Sequence, residues 1–145
     1  MGVNSIYNIA ANAMSANKLR VNTIASNIAN AQTTRTEEGG PYKRRDVVFS
    51  ATNVEDASFR SALDKASLKN VHVSRIAVDE SEPRMVYDPS HPDANEEGVV
   101  AMPNINTVTE MVNLVSASNA YKAAAEVANI TKQMMGALQR LSQRF

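Results

Sequence analysis

The side chains with which this chain could do chemistry are few, and their spacing suits no reaction well. His72 and His91 are the only histidines and there is no cysteine, so disulfides, thiolate metal sites and cysteine nucleophiles are excluded. His72 lies in a strand-like run and His91 in a proline-rich turn, without ligand spacing around either. Asp88, Asp93, Asn95, Glu96 and Glu97 loosely resemble a calcium loop but lack its alternation and its central glycine. Lys43-Arg44-Arg45, with Arg35 nearby, invites a nucleic-acid reading. Glu37, Glu38 and Asp46 neutralise it and no aromatic stacking platform accompanies it, so a solvated or ion-paired surface is the better reading, with docking on an acidic neighbour as a third. No glycine-rich phosphate loop, Ser/His/Asp signature or paired-acid motif occurs. The expectation is no catalytic, cofactor-binding or metal site, no nucleic acid and no small-molecule substrate. Glycan cleavage, which needs only two carboxylates, stays open as an alternative.

Composition points away from an enzyme as well. The 145 residues suit one domain, and 15 basic residues balance 15 acidic ones. Leu, Ile, Val and Phe number 31, close to the level at which a packed core fails, while Ala and Asn together make a quarter of the chain. Met1-Gly2-Val3-Asn4-Ser5-Ile6 has no charged leader region, and no apolar stretch nears the roughly 20 residues of a membrane span. A soluble protein without a cleaved signal peptide is expected, free to leave the cytoplasm by a route that reads none.

The elements fall into three parts: 1–34, 35–103 and 104–145. Only Lys18 and Arg20 are charged in the first and six residues in the last, whereas the middle holds nine basic residues, thirteen acidic ones and every proline. In the first part Ile6, Ala10, Ala13, Asn17, Val21, Ile24, Ile28 and Ala31 recur at the three- and four-residue steps of a coiled-coil seam, with Asn4 or Ser5 as cap. In the last, Thr107-Val108-Thr109-Glu110 reads as a capping box, and Ala120, Ala124, Val127, Thr131, Met134, Leu138, Leu141 and Phe145 continue the same rhythm. The middle offers β-branched runs at 46–49, 71–78, 84–87 and 98–102 and a short helix at 57–69. The fold expected is mainly α: long N- and C-terminal helices paired as an antiparallel coiled coil, with a short irregular β-containing arm between them.

The outer faces of the first helix are unusual. A solvated coiled coil carries Glu and Lys there, but Asn8, Asn12, Ser15, Asn22, Thr23, Ser26, Ala25 and Ala29 occupy them. Small polar residues are mediocre helix formers and suit close contact. Three Ile and one Val on the seam are too little to offset the backbone entropy of ordering so long a helix. Both ends are therefore expected to complete their folding on assembly.

Ser26-Asn27-Ile28-Ala29-Asn30-Ala31-Gln32-Thr33-Thr34 resembles the Asn-rich motif near the start of bacterial flagellar axial proteins. Arg35-Thr36, then Gly39-Gly40-Pro41-Tyr42-Lys43-Arg44-Arg45-Asp46-Val47-Val48-Phe49, are similar to the basal-body rod members, specifically the proximal-rod subtype. Further matches are Pro83-Arg84-Met85-Val86-Tyr87-Asp88-Pro89-Ser90-His91-Pro92-Asp93, Val100-Ala101-Met102-Pro103-Asn104-Ile105-Asn106, Glu110-Met111-Val112-Asn113 and Ser116-Ala117-Ser118. Val99 and Ala124 depart from the pattern, standing in place of an aromatic and an Asn.

The resemblance implies a structural subunit of the rod. Such subunits pass unfolded through the flagellar export apparatus and polymerise with copies of themselves and other rod proteins into a helical periplasmic tube. That tube transmits torque, and ring proteins around it are further candidate partners. On composition alone the Ser26-to-Thr34 motif is either a helix cap with turn residues or a partner contact; the resemblance favours contact through Asn27, Asn30, Thr33 and Thr34. With the seams, the candidate interface adds Ile6, Ala10, Ala13, Val21, Ile24, Ile28, Met111, Val127, Met134, Leu138 and Leu141. The alternative is a non-polymerising helical adaptor or export chaperone.

Overall fold

A computed structural model describes residues 3–53 and 69–142. Helix α1 (Val3–Ala29) is followed by strands β1 (Arg45–Asn53), β2 (Lys69–Val78), β3 (Arg84–Tyr87) and β4 (Val99–Met102), then by helix α2 (Thr107–Ser142). At 1.5 Å per residue the helices are about 40 and 54 Å long. Mainly α with a β-containing middle is the architecture anticipated, and all four β-branched runs form strands. The short helix expected over 57–69 lies outside the described residues except for Lys69, which opens β2.

The helix starts differ from expectation. α1 is already helical at Val3, so Asn4 and Ser5 sit within it rather than capping it. α2 is capped by Asn106, not Thr107: its Oδ1 accepts the amides of Val108 (3.0 Å) and Thr109 (3.1 Å). Asn outranks Thr at this position, and the carboxylate that would have closed the Thr107 box, Glu110, turns into the protein, where the residue is 1% exposed.

β1 and β2 form one antiparallel pair, from Arg45 opposite Val78 to Asn53 opposite Lys69, with a bulge between Val48 and Phe49. β3 and β4 form a second, from Arg84 opposite Met102 to Tyr87 opposite Val99. The β3–β4 loop turns at Gly98, whose φ of +75° is open to glycine; a Cβ there would stand 3.1 Å from both Pro89 and Tyr87 side chains. The first hairpin runs back along α1. Asn27 Nδ2 bonds the Arg45 carbonyl (2.7 Å), the Arg20 guanidinium lies 5.9 Å from the Phe49 ring centre, and Asn12 Nδ2 bonds Asn70 Oδ1 (3.0 Å).

α2 packs along α1 and against none of the described strands. Its first turn meets the last turn of α1, since Asn27 bonds Glu110 (2.9 Å), and so the helices run antiparallel. On α1 the contact side is the expected one: Ala10, Ala13, Asn17, Val21, Ile24 and Ile28 are buried or half-buried, while Ile6 is 37% exposed. On α2 it is a neighbouring stripe. Leu114, Ala117, Tyr121, Ala124, Ala128, Thr131 and Met135 are covered, whereas Ala120, Val127, Met134, Leu138 and Leu141 of the expected seam are exposed. Both stripes have three- and four-residue steps, so periodicity cannot choose between them; the stripe that faces α1 carries Ala117, Ala124 and Ala128, whose small side chains let two helices approach closely. Polar members of the contact are satisfied by their own helix. Thr23 and Thr131 donate to the carbonyls of Leu19 (3.0 Å) and Val127 (2.7 Å), and Asn17 to that of Ala13 (2.8 Å). The core is thin: among the described residues the buried apolar side chains are Ala10, Ala16, Ile24, Ala31, Val47, Val100, Pro103 and Ala117.

Candidate assembly surface

Because α2 turns its small residues to α1, its large ones face out. Val108, Met111, Val112 and Val115 near the start, and Val127, Ile130, Met134, Leu138 and Leu141 further on, are 45–69% exposed. Ser116, Asn119, Ala120 and Ala123 lie between the two groups and are exposed too. Soluble monomers rarely leave so long an apolar band in water; such bands mark contact with other molecules. Five of the candidate interface residues, Met111, Val127, Met134, Leu138 and Leu141, are on it. Ile6 is partly exposed on α1, and Ala10, Ala13, Val21, Ile24 and Ile28 are used inside the chain. No described helix is long and apolar enough to cross a membrane, so the band is not a buried span of that kind.

At the near end of the band the helices and the arm meet in a polar junction. Asn27 is 0% exposed, and each of its side-chain atoms is used twice. Its Nδ2 donates to the Arg45 carbonyl (2.7 Å) and Glu110 Oε2 (2.9 Å); its Oδ1 accepts from the Arg45 amide (3.0 Å) and the Tyr42 hydroxyl (3.3 Å). Glu110 Oε1 accepts from Arg44 Nε (3.0 Å) and Asn113 Nδ2 (3.5 Å). Burial works against the Arg44 guanidinium, but its hydrogen bond to Glu110 and the charges of Glu110 and Asp46 outweigh it and hold its pKa above the ordinary value. Among the described residues no buried side-chain nitrogen or oxygen lacks a partner. A junction so saturated holds the segments together.

The rest of the Asn-rich motif is also engaged within the chain. Asn30 Nδ2 donates to the Ser26 carbonyl (2.9 Å), Thr33 to Asn30 Oδ1 (3.2 Å) and Thr34 to Asp93 Oδ2 (2.7 Å), beside an ion pair of Arg35 with Asp93. These bonds tie the end of α1 to the β3–β4 loop. The basic cluster is occupied likewise: Lys43 with Glu80 (2.6 Å), Arg44 with Glu110, and Arg45 5.7 Å from the Tyr42 ring centre. The bond to Glu80 raises the Lys43 pKa. Two acids of the calcium-like stretch are engaged, Asp93 with Thr34 and Arg35 and Asp88 with Ser90. Asp88 accepts from the Ser90 hydroxyl (2.6 Å) and amide (3.1 Å), which lowers its pKa, and Asn95 accepts the amides of Glu97 and Val99. Among the described residues no three His, Cys, Asp or Glu come together as metal ligands. A groove of about 340 Å³ between α1 and β2 has only Lys18 and His72 as titratable groups in its lining.

Sequence reasoning missed Glu110 as a junction residue, together with its partner Arg44 and with Tyr42, which bonds Asn27. One signal was available: Glu110 and Glu126 are the only acids in residues 104–145, and a lone carboxylate beside Met111 and Val112 needs a partner when the helix packs.

Two family descriptions match in chain order: "Flagella basal body rod protein" over residues 8–35 and "Flagellar basal body rod FlgEFG protein C-terminal" over residues 96–141. Flagellar basal-body rod protein FlgC of Borreliella burgdorferi is 39% identical, covering 92% of this chain and 93% of the relative. The chain belongs to the FlgC family of flagellar basal-body rod proteins. The FlgC of Bacillus subtilis is 38% identical over 88% of this chain and 90% of its own length, and that of Escherichia coli O157:H7 is 37% identical over 93% and 94%. The two matched segments of this rod protein contain most of α1 and most of α2, the second of which carries the exposed band.

Proposed function

We propose that this chain is a structural subunit of the flagellar basal-body rod, in its proximal part, and that the exposed band on α2 is where sister subunits and other rod proteins pack. The observation that carries the reading is the run of large apolar residues from Val108 to Leu141 left in water along one helix. In a helical tube that band becomes an inner-wall contact. Burying it offsets what the thin intrachain core leaves unbalanced, at roughly 25 cal/mol per Å² of apolar surface removed from water. In this reading the helical ends, 1–34 and 104–145, form the wall and supercoil together as a coiled coil, while 35–103 is an outer arm. Met111, Val127, Met134, Leu138 and Leu141 with Ile6 are primary contacts; Asn27, Asn30, Thr33 and Thr34 act by holding the α1 terminus and the arm in place.

The subunit is not an enzyme here but a torque-bearing part for motility. It reaches the periplasmic part of the basal body through the export apparatus, with ring proteins around the rod as outer neighbours. Helices that stay loosely folded until neighbours cover them suit passage through a narrow channel. The test is deletion of the gene followed by electron microscopy of basal bodies. Absent rods and lost motility, both restored by the intact gene, are expected; intact rods in the deletion strain would overturn the role.

A further inference from the structure

Little in the contact between α1 and α2 sets how far along one helix the other sits. Of the fully buried described residues on the two helices, Ile24 alone is a large aliphatic. The rest of the apolar ones, Ala10, Ala16 and Ala117, are methyl-sized, and the larger Val21, Ile28, Leu114, Tyr121 and Met135 are only half-buried. A face of small residues repeated at three- and four-residue steps nearly reproduces itself one turn along, about 5.4 Å away. Thr23 and Thr131 do not discriminate either, since each hydroxyl bonds its own helix.

The polar junction is the one place where the contact does not repeat. We infer that Glu110, held by Asn27 of α1 and Arg44 of the arm, is the positioning residue that fixes the axial register of α2 on α1. One turn back on α1 stands Thr23, and four residues on, just past the end of α1, stands Ala31. Ala31 has no polar side chain, and the Thr23 hydroxyl is donated to Leu19. Asn27 and Arg44 would stay with the arm, through the amide and carbonyl of Arg45. A slipped α2 would therefore carry a charged carboxylate into the contact without donors, which is strongly unfavourable. A buried ion pair adds little net stability but penalises every arrangement that breaks it, and here that penalty selects one register out of several similar ones. The register in turn fixes where the exposed band stands relative to the arm. The inference concerns the single chain and holds whether or not the band is where neighbours bind.

The absence of native cysteine makes the test direct. Cysteines introduced at the exposed Asn8 and Ser116 of the full chain, which stand well apart along the helix axes so that an axial slip changes their separation, carry nitroxide labels, and pulsed dipolar resonance reads the distance between them. An osmolyte favours burial, and circular dichroism follows helix content. The parent gives one narrow distance. Glu110→Gln, which keeps acceptors for Asn27 and Arg44, gives the same distance. Glu110→Leu, of similar volume and without acceptors, keeps its helicity but broadens the distribution, with a second maximum displaced by about 5 Å, one helical turn. Overturning results are a Glu110→Leu distance as single and narrow as the parent's, a Glu110→Gln shift as large as that of Glu110→Leu, or a broad parental distance at full helicity. Loss of helicity in Glu110→Leu alone would also overturn it, since the junction would then be needed for folding rather than register.

Discussion

The two faces of α2 invert the usual rule for a surface helix. The face against α1 carries Ala117, Ala124, Ala128 and Thr131 with half-buried Leu114, Tyr121 and Met135 and one buried carboxylate, and the face in water carries Val112, Val115, Ile130, Met134 and Leu138. A monomer built for its own stability would do the reverse. The difference shows where the apolar free energy of this helix is directed: little is realised within the chain and most is left for contacts outside it. The inner face defines geometry and the outer face holds the adhesive surface. Substitutions on the two faces should accordingly fail in different ways.

The largest effect is expected on the outer face. Val127→Asp or Leu138→Asp places a charge where the proposed neighbours would bury it unpaired, which costs several kcal/mol per contact and repeats in every subunit. Motility on soft agar and rods in electron micrographs should both be lost, while the thermal midpoint of the purified chain moves little, because both side chains are already about half exposed. Normal rods from either variant would collapse the contrast between the faces.

The inner face should answer in stability first. Glu110→Ala removes the acceptor of Asn27 and Arg44 and leaves a buried amide donor unpaired. Arg44 keeps Asp46 and has 24% of its side chain exposed, so the cost is put at about 2–3 kcal/mol, the low side of the range for a broken buried pair. Denaturant unfolding of the full chain under osmolyte measures it. A change below about 0.5 kcal/mol would place the junction outside the folded unit.

These two faces also mark the limit of what could be read from sequence. Helix positions, the four strands and the charge-poor ends were legible, because period-3.6 and period-2 patterns and proline placement are local properties. The side of α2 that meets α1 was not: its two stripes share Ala124 and Thr131, and hydrophobicity favoured the bulky stripe that the structure exposes. The cap of α2 was misplaced by one residue because Thr107 and Glu110 spell a capping box, although Asn106 is the better acceptor. The junction was hidden because its members, Asn27, Tyr42, Arg44 and Glu110, come from three segments that only the fold brings together. In the Asn-rich motif the residue types left cap and contact open and the resemblance favoured contact; within the chain these side chains bond at the helix terminus and to the β3–β4 loop, work that composition could not separate from binding.

A third substitution sharpens the same contrast. Ala117 is 0% exposed at the centre of the inner face, so Ala117→Leu forces the helices apart or off-rotamer, at about 1–3 kcal/mol. Ala120→Leu, three residues on and facing water, should change the stability of the isolated chain by less than about 0.5 kcal/mol. Chemical denaturation of the two variants side by side is sufficient. Equal costs would mean that α2 is rotated from the orientation described.

The smallest effect lies in the arm and serves as a control untouched by either face. Asp88 accepts both the hydroxyl and the amide of Ser90 and is exposed, with its pKa below the ordinary 3.8. A carboxylate whose folded pKa is depressed contributes stability that is complete above its unfolded value, hence throughout neutral pH. The contribution is lost only as pH falls through the lower folded value. The Ser90 amide, followed by NMR, should therefore hold constant from pH 7 to about 5 and shift below about 4. Asp88→Asn should remove most of that titration while leaving rod assembly intact. An Asp88→Asn strain that assembles no rods would show that the arm, and not only the outer face of α2, carries contacts the rod cannot do without.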